Sequence, residues 1–240
     1  MKDLIRFLRI HIIRFLALLR SKRLRNKGTI LIIAPHPDDE VIGCAGLIQQ
    51  SLNQGINLVI CILTGGEASH QTCCKIAPQT VKAARHELAQ KIDTQLGVPL
   101  SNLYFLNFTD GKISKDSTEV EQLKSIIKKT KPDSIYIPHQ KGEGWSDHIE
   151  AGNIIKELCR NNSASIYEYC VWFWYYNVWS LDLKNAYILQ MTSKEHQNKL
   201  QAIHDYITPL APCGKPYSGV LPKVFIWGNQ WKNELYFKVR

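Results

Sequence analysis

Apolar positions open the chain at helical spacing. Leu4, Leu8, Ile12, Phe15 and Leu19 recur at roughly 3.6-residue intervals, with Arg6, Arg9 and Arg20 on the opposite side and Ile10 and Ile13 straying among them. Beyond residue 27 the pattern changes to short apolar runs alternating with longer amphipathic stretches. Strands are predicted over 29–35, 57–66, 102–108, 134–139 and 165–176, and helices over 40–55, 80–97, 119–132 and 147–162. Gly55, Gly97 and Pro132 supply three of the helix stops.

Strands alternating with helices predict an α/β protein, a Rossmann-like three-layer fold with a mainly parallel sheet. Ligands bind such sheets beyond the carboxyl ends of the strands. His36 to Asp39, Thr64 to Glu67, Asp110 and Pro138 to His148 all fall there. The expected organisation is a basic amphipathic helix over 1–27 and a single domain over 28–240.

Charge changes this picture in one place. Residues 1–27 carry nine of the 30 Lys/Arg and one of the 21 Asp/Glu, hence eight of the nine net positive charges. The remaining body is nearly neutral, which argues against a broad nucleic-acid surface. The leader lacks the ~20 predominantly apolar residues of a spanning helix, and Arg14 interrupts what would be the core of a signal peptide. Two readings of the leader stand: an interfacial helix with arginines on anionic headgroups, or a helix packed on its own domain. Seven cysteines without a CxxC spacing argue for reduced thiols. Cys73 and Cys74 are adjacent and could pair only in a strained geometry. The expected location is the cytoplasm, peripheral on the inner face of the membrane if the leader binds lipid.

The chemistry concentrates in Pro35-His36-Pro37-Asp38-Asp39-Glu40. An imidazole and a carboxylate three residues apart on a turn can converge on one metal ion. Pro37 stiffens that turn. A divalent cation would offset the repulsion among Asp38, Asp39 and Glu40. Asp38 should point away from Asp39, where it can act as a general base for hydrolysis. Glu40 falls at a helix start and supports the site from behind. His148 is the best third ligand, with Asp147 beside it to fix a ring orientation. Zinc suits this set, and iron(II) or another divalent ion fits the same ligands. His11, His86 and His196 sit in polar helical contexts and are not assigned to the site.

These residues resemble the LmbE/PIG-L family of zinc-dependent N-deacetylases, whose first motif is usually A-H-P-D-D-E. The resemblance covers most of 28–155. "LTGGEAS" is similar to that family's second-strand turn, "RHELAQKIDTQLGV" to its R-x-E-L helix, "LYFLNFTDGKI" to its F-L-x-F-x-D-G stretch, and "KLQAIHDYITPL" to a C-terminal helix. It implies an LmbE-like fold, zinc on His36, Asp39 and His148, Asp38 as base, and substrate contacts from Arg85 and Asp110. One departure stands out. Many members read H-P-D-H, and their first histidine binds the oxyanion or protonates the leaving amine, whereas here the residues are Trp145-Ser146-Asp147-His148. His139 or Glu143 could take over that role, or the metal could stabilise the oxyanion alone. Trp145, which cannot serve as an acid, either stacks on a sugar ring or anchors a packed loop.

The resemblance thus implies removal of an N-acetyl group from an N-acetylglucosamine-type sugar, soluble or lipid-linked. The aromatic run at 167–179 reads as a buried strand or as part of the site's mouth. A metal- and sugar-binding protein without catalysis is the alternative. A nucleotide-dependent enzyme is disfavoured, because no G-x-G-x-x-G succeeds the first strand.

Overall fold

The computed structural model describes residues 2–70, 75–176, 179 and 181–240. Cys73 and Cys74 lie outside the described residues, as do Asn177, Val178 and Ser180. The chain runs α1 (Lys2–Arg20), β1 (Lys22–Arg23), β2 (Ile30–Ala34), α2 (Asp39–Asn53), β3 (Leu58–Ile62), α3 (Pro78–Gln95), β4 (Leu103–Phe105), α4 (Glu119–Thr130), β5 (Ser134–Pro138), α5 (Ser146–Leu158), β6 (Ser165–Tyr169), β7 (Ala186–Gln190), α6 (Ser193–Ile207), α7 (Lys223–Asn229) and β8 (Asn233–Lys238).

The strands form one eight-stranded sheet in the order β1-β7-β8-β6-β5-β2-β3-β4. Neighbours pair in parallel except at β8, which runs antiparallel to both β6 and β7. The sheet is therefore mixed, and mainly parallel as expected. Strand β2 shows why the layers form. Its five residues are all buried, with Ile30, Ile32 and Ala34 in one core and Leu31 and Ile33 in the other. The first core packs under α2, α3 and α6, and the second under α4 and α5. A strand buried on both faces is a continuous apolar run, which is how "ILIIA" reads.

Topology then places the site. From β2 the chain builds outward through β3 and β4, and then returns to set β5 on the other flank of β2. The order reverses at the β2–β5 boundary, where open α/β sheets leave a crevice. The turn carrying His36 leaves β2, and the segment leading to His148 leaves β5.

One expectation changes and one open alternative closes. The strand expected over 165–176 stops at Tyr169, and Trp172–Trp174 form a 3-10 turn instead. Glu143 causes the break, because its carboxylate accepts the amides of Val171, Trp172 and Phe173 at 2.9, 2.8 and 3.3 Å. Those amides are therefore lost to a sheet ladder. The leader takes the second of its two readings. Helix α1 packs on the domain with the arginine side inward, burying Arg9, Ile10, Ile13 and Ala17. Arg6 donates to Tyr175 O, Arg9 to Phe173 O and Trp174 O, and Arg14 to Trp227 O and Gly228 O. These three arginines satisfy backbone carbonyls of the domain instead of lipid headgroups, and the apolar stripe faces outward. Among the described residues no helix is long and apolar enough to cross a membrane.

Candidate active site

The turn after β2 is tightly determined. Asp38 has φ of 120°, a value that a non-glycine residue rarely adopts. Its amide donates to Glu40 Oε2 at 3.1 Å, and Glu40 Oε1 accepts from Tyr206 OH at 2.5 Å. Arg85 closes the other side, donating to Asp38 Oδ2 at 3.0 Å, Pro37 O at 2.7 Å and Gly66 O at 3.0 Å. Gly66 (φ 64°) is required here, since a Cβ at that position would lie 2.1 Å from the Arg85 guanidinium. Strained backbone persists only when its surroundings hold it, and such residues gather at functional sites.

Three donor atoms meet beside this turn. His36 Nδ1, Asp39 Oδ2 and His148 Nε2 are each 3.3 Å from the other two. The remaining ring nitrogens set the tautomers. His36 Nε2 lies 3.0 Å from Asp110 Oδ1 and 3.4 Å from Asp147 Oδ2. His148 Nδ1 lies 3.0 Å from Glu143 Oε2. With those nitrogens donating to carboxylates, His36 Nδ1 and His148 Nε2 present lone pairs to each other and to a carboxylate oxygen. Three electron-rich atoms converging in a buried space call for a cation.

The spacing fits one. Ligand atoms about 2.0–2.2 Å from a tetrahedral zinc lie roughly 3.3–3.6 Å apart. A second grouping, His36 with Asp110 and Asp147, also brings three ligand atoms together. Its carboxylates are already committed to backbone amides: Asp110 to Ala68, and Asp147 to Gly111 and Ile113. We therefore read it as the support that orients His36.

Electrostatics agree. Burial opposes charge on His148, but the neighbouring Asp39 outweighs it and pushes the ring up to about 9. Burial likewise opposes charge on His36, and hydrogen bonds to Asp110, Asp147 and Asp39 raise it well above the usual imidazole value. Asp39 is held below the usual carboxylate range despite burial, chiefly by His148. The trio thus collects protons where a cation would sit, and protons and metal compete for such ligands. Asp38 is pushed up to about 7 by burial, with Arg85 opposing. Glu40 is pushed up to about 8 by burial, with the Tyr206 hydrogen bond opposing.

These groups face a cavity of about 360 Å³, within the range of small-molecule sites. His36, Asp38, Asp39, Arg85, Asp110 and His148 line it, and Trp145, Trp172 and Phe225 form an aromatic wall. Trp145 is 48 % exposed and meets Trp172 edge-on at 5.6 Å. The fold thus brings His36, Asp38, Asp39, Arg85, Asp110, Trp145, Asp147 and His148 to one cavity, with Glu40 behind the turn. Two contacts refine these placements. Asp147 reaches His36 rather than the adjacent His148. Arg85 spends its guanidinium on Asp38 and two carbonyls.

Neither substitute for the missing histidine faces the cavity. His139 packs between Phe173 and Phe237, and Glu143 is fully buried under His148. His11, His86 and His196 do not line it either. Sequence reasoning missed the orienting role of Glu143 and the part played by Tyr206. Tyr206 lay within the quoted C-terminal helix, but its contact with Glu40 spans 166 residues. Trp172 is the part of the aromatic run that reaches the mouth, and no local signal separated it from Phe173 and Trp174.

Comparison with known proteins bears on this geometry. The family PIG-L, described as GlcNAc-PI de-N-acetylase, matches residues 31–159. A diacetylchitobiose deacetylase of Thermococcus kodakarensis is 29% identical over 125 residues, covering 51% of this chain and 46% of that protein. The chain therefore matches about half the length of this curated relative. The N,N'-diacetylchitobiose deacetylase of Pyrococcus horikoshii superposes with a TM-score of 0.60 at 23% identity, over 74% of this chain and 68% of that one. The 4-carboxy-2-hydroxymuconate hydratase of Pseudomonas putida superposes with a TM-score of 0.65 at 16% identity, over 89% and 97%. One fold carries both deacetylases and a hydratase, so the reaction has to be argued from the site.

Proposed function

From the premise that the chain belongs to the PIG-L family, we propose that it is a metal-dependent N-deacetylase acting on an N-acetylglucosamine-type sugar. The observation carrying this reading is the triangle of His36, Asp39 and His148 donors with Asp38 on the same cavity. A relative named for deacetylation of diacetylchitobiose supports the substrate class.

His36, Asp39 and His148 would hold the metal, with zinc the best fit to two imidazoles and a carboxylate. The metal, when bound, supplies Lewis-acid polarisation of the acetamide carbonyl and acidifies water. Asp38 accepts the proton of the water that attacks the carbonyl carbon. Its position near neutrality suits both halves of the reaction. The same carboxyl then delivers that proton to the nitrogen as the C–N bond breaks, leaving acetate and a free amine. This double duty accounts for a site in which Trp145 stands where a histidine is usual. Arg85 keeps Asp38 aimed and tempers its basicity. Asp110, Asp147 and Glu143 hold the two rings in register. Trp145 and Trp172 offer apolar faces to a sugar ring or to the group it carries, soluble or lipid-linked.

The test is acetate release from a panel of N-acetylglucosamine conjugates, with zinc, after chelation, and with Asp38→Ala. Metal-dependent release that disappears in the variant is expected. Zinc binding without release from any conjugate would move the assignment to a metal- and sugar-binding protein, the reading that Trp145 favours.

A further inference from the structure

Helix α1 presents two faces, and only one is used. Its inward face is fastened by the three arginines and by Ile10, Ile13 and Ala17. On the opposite side Leu4, Leu8, Phe15 and Leu19 are 73, 61, 61 and 65 % exposed, and Ile5, Ile12 and Leu18 fill the gaps between them. No Lys, Arg, Asp or Glu falls within this arc. A contiguous apolar strip along a 19-residue helix exceeds the scattered exposure normal for a monomer.

Exposed basic residues flank the strip. Lys2 stands at one end. Arg20, Lys22, Arg23, Arg25 and Lys27 stand at the other, and all five are exposed. The second group does not dangle. Lys22 and Arg23 form β1, paired in parallel with β7, and the Leu24 amide donates to Ile188 O. The only acid in the segment, Asp3, is occupied by Arg6.

We propose that this outward face of α1 is a docking surface for an anionic lipid bilayer, with the helix lying in the plane of the interface. The apolar strip enters the acyl boundary and the flanking lysines and arginines meet the headgroups. The arrangement disfavours a second copy of the chain. Antiparallel self-pairing sets Lys2 against the Arg20–Lys27 group, and parallel self-pairing sets that group against itself. An anionic surface complements the charge in either orientation. The proposal differs from a simple amphipathic anchor, because Arg6, Arg9 and Arg14 are withheld from lipid and lock the helix to the protein. Docking therefore fixes the whole domain against the membrane, with no hinge in the helix itself. It does not depend on which reaction the cavity performs.

The full chain should co-float with phosphatidylcholine vesicles containing phosphatidylglycerol, far less with phosphatidylcholine alone, and less as salt rises. A Leu8→Glu, Phe15→Glu double variant should bind about ten-fold more weakly or worse, while Leu100→Glu, at an exposed leucine elsewhere, should match the parent. Should the double variant fail to fold, Arg20→Gln, Lys22→Gln, Arg23→Gln and Arg25→Gln together should abolish the preference for phosphatidylglycerol. Vesicle binding undiminished in these variants would overturn the proposal. So would a parent protein that ignores vesicles, or a solution dimer that the double variant dissociates.

Discussion

Two buried polar clusters lie along α2, and they are built differently. Around its middle Glu234 accepts from Lys199 Nζ at 2.7 Å, from the amides of Gly46 and Leu47 at 2.8 and 3.0 Å, and from Tyr236 OH at 2.7 Å. Every acceptor has a proton, and one cation meets one anion. At its amino end Asp38, Asp39, Glu40, Asp110, Asp147 and Glu143 surround two histidines and a single guanidinium. Lone pairs converge there on one point, which a metal or competing protons must occupy. The first cluster is complete as folded, and the second is complete only with a ligand. Buried ionic groups are therefore informative less by their presence than by whether their donors and acceptors balance.

This contrast can be broken experimentally. The largest effect should come from chelation, which should reduce deacetylation to background. Restored zinc should raise the melting temperature, because metal binds the native state alone, and His148→Ala should lose both responses. A chelated enzyme of full activity would remove the metal from the reading. Asp38→Asn should lower kcat by ~10²–10⁴-fold with the fold intact. A loss of only a few-fold would assign the base elsewhere.

In the complete cluster Lys199→Met should cost ~3–5 kcal/mol of stability in urea titration, because it strands a buried carboxylate. Glu234→Gln added to it should recover most of that. If Lys199→Met proved neutral, the balance argument would fail where it is simplest. Asp147→Asn should cost ~10–100-fold in metal affinity or activity, as expected for a group that orients a ligand.

The subtlest test is pH. Asp38 must be ionised to act as base, so kcat/KM should fall as pH drops through its pKa. That limb should lie at or below about 7 in the metal-loaded enzyme, since a nearby cation favours the carboxylate. Arg85 holds this pKa down, so Arg85→Ala should move the limb to higher pH. Movement to lower pH would show that Arg85 does not act through Asp38.

Legibility in the sequence tracked distance along the chain. His36, Asp38 and Asp39 could be read because a strand, a proline-stiffened turn and a helix start are local features. His148 emerged from the second strand end. Supporting contacts were less visible. Asp147 was expected to fix a ring, but that the ring is that of His36 was not visible, because the returning backbone, and not sequence adjacency, aims its carboxylate at the amides of Gly111 and Ile113. The aromatic run carried no sign that Glu143 would take three of its amides and turn Trp172 toward the cavity and Phe173 into the core.

Local patterning alone determined the βαβ order, the apolar character of β2, and the angular separation of apolar and arginine sides on α1, and the residue types after β2 determined the turn that gathers an imidazole and carboxylates. Periodicity reports which residues share a face. It does not report what that face meets. Only the tertiary structure decided that the arginine side of α1 is the buried one, because the carbonyls of Phe173, Trp174, Tyr175, Trp227 and Gly228 that it satisfies come from segments more than 160 residues away. The same holds for the donor triangle. Its 3.3 Å sides exist because β2 and β5 are neighbours at the point where the strand order reverses.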